Sequence, residues 1–187
     1  INGRRIFEEV VSGKFTTNNP TINGVWEPVY IMNKIMLGLY NAYLSCDLPQ
    51  AKDVLVKMAD WFGYQVLDKL SYEQIQELLV CEHGSINESY ITVYEITGDE
   101  KYLKWAKLLN DEDMLIPAAE ERDVLNGWHA NTQIPKFTGF EKVYNYTQED
   151  KYTRAAQFFW ETVVDKHTWV IGGNSTGEHF FPVDQFE

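Results

Sequence analysis

The densest chemistry in the chain sits at residues 171–181. There Gly172, Gly173 and Gly177 lead into Glu178, and His179, Phe180 and Phe181 follow it. Glycines permit positive φ or let backbone approach something bulky. Enclosure among rings would desolvate the charged form of the Glu178 carboxyl and favour a protonated general acid. A glycine-rich phosphate loop is the competing reading of such a run. It requires a Lys at the Walker spacing, which is missing here.

Three other segments are crowded with hydrogen-bonding side chains next to rings. Residues 26–34 hold Trp26, Tyr30, Asn33 and Lys34. Residues 81–90 hold Glu82, His83, Ser85, Asn87, Glu88 and Tyr90. Residues 126–136 hold Asn126, Trp128, His129, Asn131, Thr132, Gln133 and Lys136. Sugar hydroxyls need such polar groups, and the C–H faces of sugars need such rings. Tyr30, Asn33, Glu88, His129, Asn131 and His179 are the candidate substrate-binding residues. The plainer alternative is that these groups cap helices and satisfy one another inside a bundle.

The elements that must position them follow an internal repeat. Tyr94, Thr97, Lys101 and Tyr102 correspond to Tyr144, Thr147, Lys151 and Tyr152, with Asp99 and Asp150 in the turns between, and a fainter copy runs from Tyr43 through Asp47 to Ala51. The anchor tyrosines lie about fifty residues apart, a spacing typical of helical arrays. In each copy an apolar-periodic helix ends in a short polar turn and a second amphipathic helix begins. Val54, Met58, Trp61 and Phe62 form the predicted core face of the first copy. Tyr102, Trp105, Ala106 and Leu109 form that of the second, and Tyr152, Ala155, Ala156, Phe159 and Val163 that of the third. Asp47, Asp99 and Asp150 fall where a helix start favours a carboxylate, and Pro49 fits a first turn. Residues 70–79 read as a further short helix, with Ser71 as N-cap and Gln74 three positions on. Residues 1–28 read as an irregular lead-in around a helical stretch at 5–11.

Three such hairpins predict an all-α fold, either a solenoid or an α/α toroid. The long and chemically distinct loops before each first helix favour the toroid, because there the loops converge at one end. The expected organisation is a single segment over 1–187, part of a toroid and truncated at both ends. An incomplete toroid leaves an apolar edge, for which self-association is expected.

The 187 residues carry a formal charge of −12 and 14% aromatic residues, including six Trp and eleven Tyr. No cluster of Lys and Arg is present to displace counterions from a phosphate backbone, so neither nucleic acid nor an anionic membrane is an expected partner. No apolar run reaches the roughly 18 residues of a membrane span. The chain opens at Ile1 rather than Met, so the lack of a visible signal peptide carries little weight. Cys46 and Cys81 are far apart and match no metal-ligand spacing.

One combination of motifs is more specific. Tyr30 with Lys34, Ile35, Gly38 and Leu39 is followed by Gly84 with Asn87 and Glu88, and then by the run from Thr97 to Leu103. After these come the run from Leu125 through Asn126, Gly127, Trp128, His129 and Ala130 to Lys136, and finally Gly172, Gly173, Asn174, Ser175, Gly177, Glu178, His179 and Phe180. In this order they resemble the β-L-arabinofuranosidase-like glycoside hydrolases of family 127 and its relatives, over essentially the whole chain. The resemblance implies an (α/α)6 barrel and a retaining glycosidase acting on L-arabinofuranosides. It implies that Glu178 is the acid/base, that His129 contacts the sugar, and that the nucleophile is a cysteine thiolate bound to zinc. The zinc ligands, a glutamate and three cysteines, are expected beyond Glu187, so no cofactor is expected within this chain. The family often has His where this chain has Asn33, a side chain that can hydrogen-bond a hydroxyl but carries no charge.

With half of the machinery expected elsewhere, the 187 residues alone are expected to be inactive. Two rival readings use the same residues. A non-catalytic carbohydrate-binding scaffold would not need Glu178. A metal-free isomerase or lyase would use His129 and Glu178 as an acid/base pair.

Overall fold

The computed structural model describes residues 3–185, and apart from one small sheet their regular structure is helical. The class is all-α. Three helix pairs turn in a common way: α2 (Pro28–Cys46) into α3 (Pro49–Gln65), α5 (Ile86–Thr97) into α6 (Glu100–Leu108), and α8 (Ala130–Thr147) into α9 (Asp150–Lys166). Each first helix stops on a left-handed residue, at Asp47, Gly98 and Gln148 with φ of 51°, 70° and 56°. A left-handed residue ends a helix by turning the chain so that orphan carbonyls are satisfied. The Gly98 N–H donates to the Tyr94 carbonyl at 2.7 Å, and the Gln148 N–H to that of Tyr144 at 2.8 Å.

The second helices start by different means. Asp99 caps α6 by accepting the Lys101 N–H at 3.1 Å. In α9 the N-cap is Glu149, and Asp150 lies in the first turn. Asp47 differs from expectation. It closes α2, and Leu48 intervenes as the N-cap before Pro49 opens α3.

The remaining described elements are α1 (Gly3–Val11), α4 (Tyr72–Leu79), α7 (Glu112–Ala119), a short 3-10 turn at Leu67–Lys69, and three two-residue strands. The strands β1 (Thr17–Asn18), β2 (Thr21–Ile22) and β3 (Val25–Trp26) form an antiparallel meander, with Thr17 opposite Ile22 and Thr21 opposite Trp26. Such short strands leave little period-2 signal in the sequence, and the lead-in was expected to be irregular. The capping box of α4 is complete, since Ser71 accepts the Gln74 N–H and Gln74 accepts the Ser71 N–H. No helix among the described residues is long and apolar enough to cross a membrane.

The chain divides into two compact units, one ending at Leu109 and the other beginning at Asn110. In the first, the Trp105 indole is fully buried, edge-on to Tyr64, Tyr90 and Tyr102, and donates to Asp68 at 2.9 Å. The face of α3 that meets this core is Ala51, Leu55, Ala59, Phe62 and Gly63. It is rotated from the expected face, and Val54 is exposed. The small residues win because the bulk comes from the partner: a Cβ on Gly63 would run into the Trp105 ring.

In the second unit, α7 and α8 pack on α9. Phe137 of α8 stacks on Phe159 of α9 with centroids 3.7 Å apart. Asp111 caps α7 through the Asp113 N–H, and its other oxygen pairs with Lys136 of α8. Both side chains are almost fully buried, a situation in which removing either partner leaves a costly lone charge.

Gly63→Ala is expected to lower stability by about 1–3 kcal/mol, the range for an overpacked core. Chemical denaturation of the native and variant chains measures it, and an unchanged midpoint would mean that the indole yields freely.

Candidate functional site

The segments that carry His129 and Glu178 are joined by backbone hydrogen bonds. Gly127 N–H donates to the Phe180 carbonyl at 2.9 Å, Phe180 N–H to that of Trp128 at 2.9 Å, and Ala130 N–H to that of Glu178 at 2.8 Å. His129 and His179 therefore face each other across an antiparallel bridge. The Ala130 amide is one that a helix start leaves without an intrahelical acceptor. The Glu178 carbonyl supplies that acceptor, so holding the turn and starting α8 are one interaction.

Residues 176–179 close a tight turn. Thr176 N–H donates to the His179 carbonyl at 2.8 Å, and His179 N–H returns to that of Thr176 at 3.1 Å. Both central residues are left-handed, Gly177 at φ 53° and Glu178 at φ 69°, as in the primed hairpin turns. Glycine adopts this conformation freely, whereas a residue with a Cβ loses about 1–2 kcal/mol. The His179 ring braces the turn, with Nδ1 2.7 Å from the Gly177 carbonyl.

The side chains then gather at one place. His129 Nε2 lies 3.7 Å from Glu178 Oε2. The rings of His129 and His179 meet edge to face with centroids 5.4 Å apart. His129 Nδ1 lies 2.7 Å from Thr132 Oγ1, and Thr132 is buried. The Glu178 side chain is 83% exposed, so the expected enclosure among rings is not present. The left-handed turn directs its carboxyl outward, while Phe180 and Phe181 are drawn into the core against the buried His167 ring. His167 is itself held by Asp123, 2.8 Å from its Nε2. Asn131 is exposed on the first turn of α8. Pro135, four residues on, has no N–H to offer the Asn131 carbonyl.

Three candidates belong to the first unit and are described by themselves. Asn33 has no exposed surface: its amide donates to Ser89 Oγ at 2.8 Å, and its Oδ1 is buried without a hydrogen-bond partner. Gly84, at φ 59°, lies against that oxygen and against the Tyr30 ring, which would lie 3.2 Å from a Cβ at this position. Glu88 is half-buried in the first turn of α5. Asn33 thus meets Ser85 and Ser89 rather than solvent.

Three side chains that shape the site were not among the candidates. Thr132 is three residues beyond His129, the N-cap of α8, and N-cap and N3 side chains commonly meet, so a local signal for it existed. Nothing local points to His167 and Asp123, which are forty-four residues apart.

The turn's strain is measurable. Glu178→Gly and Glu178→Ala both delete the carboxyl, but only the alanine keeps a Cβ in the left-handed region. The glycine variant is expected to be the more stable of the two by about 1 kcal/mol. Equal stabilities by thermal unfolding would count against a rigidly held turn.

Comparison with curated proteins finds no match. The family model described as beta-L-arabinofuranosidase, GH127 catalytic domain, matches residues 6–187, nearly the entire chain. At the level of that family the activity is glycoside hydrolysis of arabinofuranosides, and the substrate class is carbohydrate. The chain belongs to the GH127 family of β-L-arabinofuranosidase catalytic domains.

Proposed function

We propose that this chain contributes the proton-transfer and sugar-orienting half of a retaining L-arabinofuranosidase site, in a domain whose helix pairs belong to an α/α toroid. The observation that carries the reading is the placement of Glu178 beside His129 at the tip of a braced turn. Retaining hydrolysis needs a group that protonates the leaving oxygen and later activates water, opposite a nucleophile. Glu178 is accessible to a glycosidic oxygen, and His129 and His179 flank it with ring nitrogens that can fix hydroxyl positions.

The zinc-bound thiolate implied for the family does not fit the residues described here. Among them no group of three or more His, Cys, Asp or Glu side chains could hold a metal ion. Cys81 is buried, and burial, followed by the charges of Glu27 and Glu82, pushes its thiol up to about 12. A thiol so raised is a poor nucleophile near neutrality. Cys46 is exposed at the end of α2, outside any such group. The role of this chain in the reaction is therefore to bind the sugar, orient it and move a proton at Glu178.

In the whole catalytic domain, Glu178→Gln is expected to slow hydrolysis of arabinofuranosides with alcohol leaving groups by on the order of 10²–10⁴, the usual contribution of general acid–base catalysis. Substrates whose aglycone leaves without protonation should be affected far less at the glycosylation step. A uniform loss across leaving groups, or none, would remove Glu178 from the acid role. The 187-residue chain alone is expected to release no chromogenic aglycone, and measurable release would place the whole machinery within it.

A further inference from the structure

We propose that His179 is a hydrogen-bond acceptor in the sugar site: its unprotonated Nε2 receives a hydroxyl of the bound arabinofuranoside, because the Gly177 carbonyl holds the ring's proton on Nδ1. This rests on the glycoside-binding reading above and assigns one side chain a defined role within it.

A carbonyl oxygen only accepts hydrogen bonds, so the ring nitrogen 2.7 Å from it must be the N–H. The contact of one ring nitrogen sets the tautomer, and the other nitrogen of a neutral imidazole then bears a lone pair. The residue is exposed, so its far edge is open to a ligand. The backbone is fixed as well. Its N–H and carbonyl are both committed to Thr176, and the residue stands opposite His129 in the bridge.

The neighbours make this acceptor distinctive. Glu178 supplies carboxyl oxygens, one of them 3.7 Å from His129 Nε2. A nitrogen facing a carboxylate is best placed as a donor. The two rings touch, with centroids 5.4 Å apart, so a hydroxyl at their shared rim could accept from His129 and donate to His179. A hydroxylated ring satisfies both nitrogens, whereas a deoxy analogue leaves at least one unmatched.

The test uses histidine labelled with 15N and methyl β-L-arabinofuranoside as probe. Without sugar, His179 is expected as the Nδ1–H tautomer, its Nε2 resonance in the unprotonated range. On adding the probe that resonance should move upfield. Asn at this position keeps an N–H that can reach the Gly177 carbonyl, but its only acceptor, Oδ1, sits closer to the backbone and does not reach where Nε2 lies. His179→Asn should therefore weaken probe binding roughly tenfold with its unfolding temperature near native, while His179→Ala loses both the acceptor and the brace. The Nε2–H tautomer in the native chain, or native affinity in the asparagine variant, would overturn the proposal and leave the glycosidase reading standing. If the native chain binds no probe, as judged by Trp fluorescence, the acceptor role and that reading fail together. Should the asparagine variant not fold, the native Nε2 shift decides.

Discussion

The short backbone bridge between residues 127–130 and 178–180 is the constraint on which the candidate site depends. It joins segments about fifty residues apart, and closing a loop of that size has an entropic cost that three hydrogen bonds do not offset by themselves. The offset comes from burial directly beside the polar atoms. Phe180 follows Glu178 by two residues and is fully buried, near Phe159, which stacks on Phe137 of α8. Each fully buried ring contributes about 1.5–3 kcal/mol, so the apolar anchors hold the polar bridge in register. The bridge in turn starts α8, and α8 places His129.

Stability and chemistry pull in opposite directions at the tip of the turn. A glycine at residue 178 would relax the left-handed backbone, so a glutamate there is kept at a cost in stability. Under the proposed function, exposure keeps the Glu178 carboxyl within reach of an external oxygen. Under that same reading, a sugar ring seated against His129 and His179 would exclude water from Glu178. Electrostatic interactions around the carboxyl would then strengthen on binding, as the local dielectric falls.

Local features were legible in the sequence and non-local ones were not. The helix pairs could be located because their turns and caps are written in adjacent residues: Ser71 with Gln74, Asp99 before Glu100, and the tyrosines whose carbonyls receive Gly98 and Gln148. The face of α3 was misread because bulk was taken as the sign of burial. There the bulk is Trp105, and α3 answers it with Ala59 and Gly63. Glu178, His129 and His179 were singled out by residue type and by the resemblance, but their pairing lies in a bridge with no local signature. Asn33 shows the limit of composition most clearly. Its segment looked like a hydroxyl-binding surface, yet contacts with Ser85, Ser89 and Gly84 take it out of reach of solvent.

Buried polar groups are divided unevenly within the pairs. The first helices bury Asn33 in α2, Asn87, Ser89 and Thr92 in α5, and Thr132, Gln133 and Lys136 in α8. The second helices bury Ala, Leu, Phe, Tyr, Trp, Val and Gly, with Thr162 the exception. Packing alone does not produce such a bias, because an unpaired polar atom away from water costs about 1–3 kcal/mol. Gln133 Oε1 and Asn33 Oδ1 are both buried without a hydrogen-bond partner. The other groups are paired: Lys136 with Asp111, Ser89 with the Asn33 amide, Asn87 with the Glu88 N–H and Thr132 with His129. Within each pair the second helix therefore supplies apolar cohesion, and the first carries the polar contacts that fix how it packs.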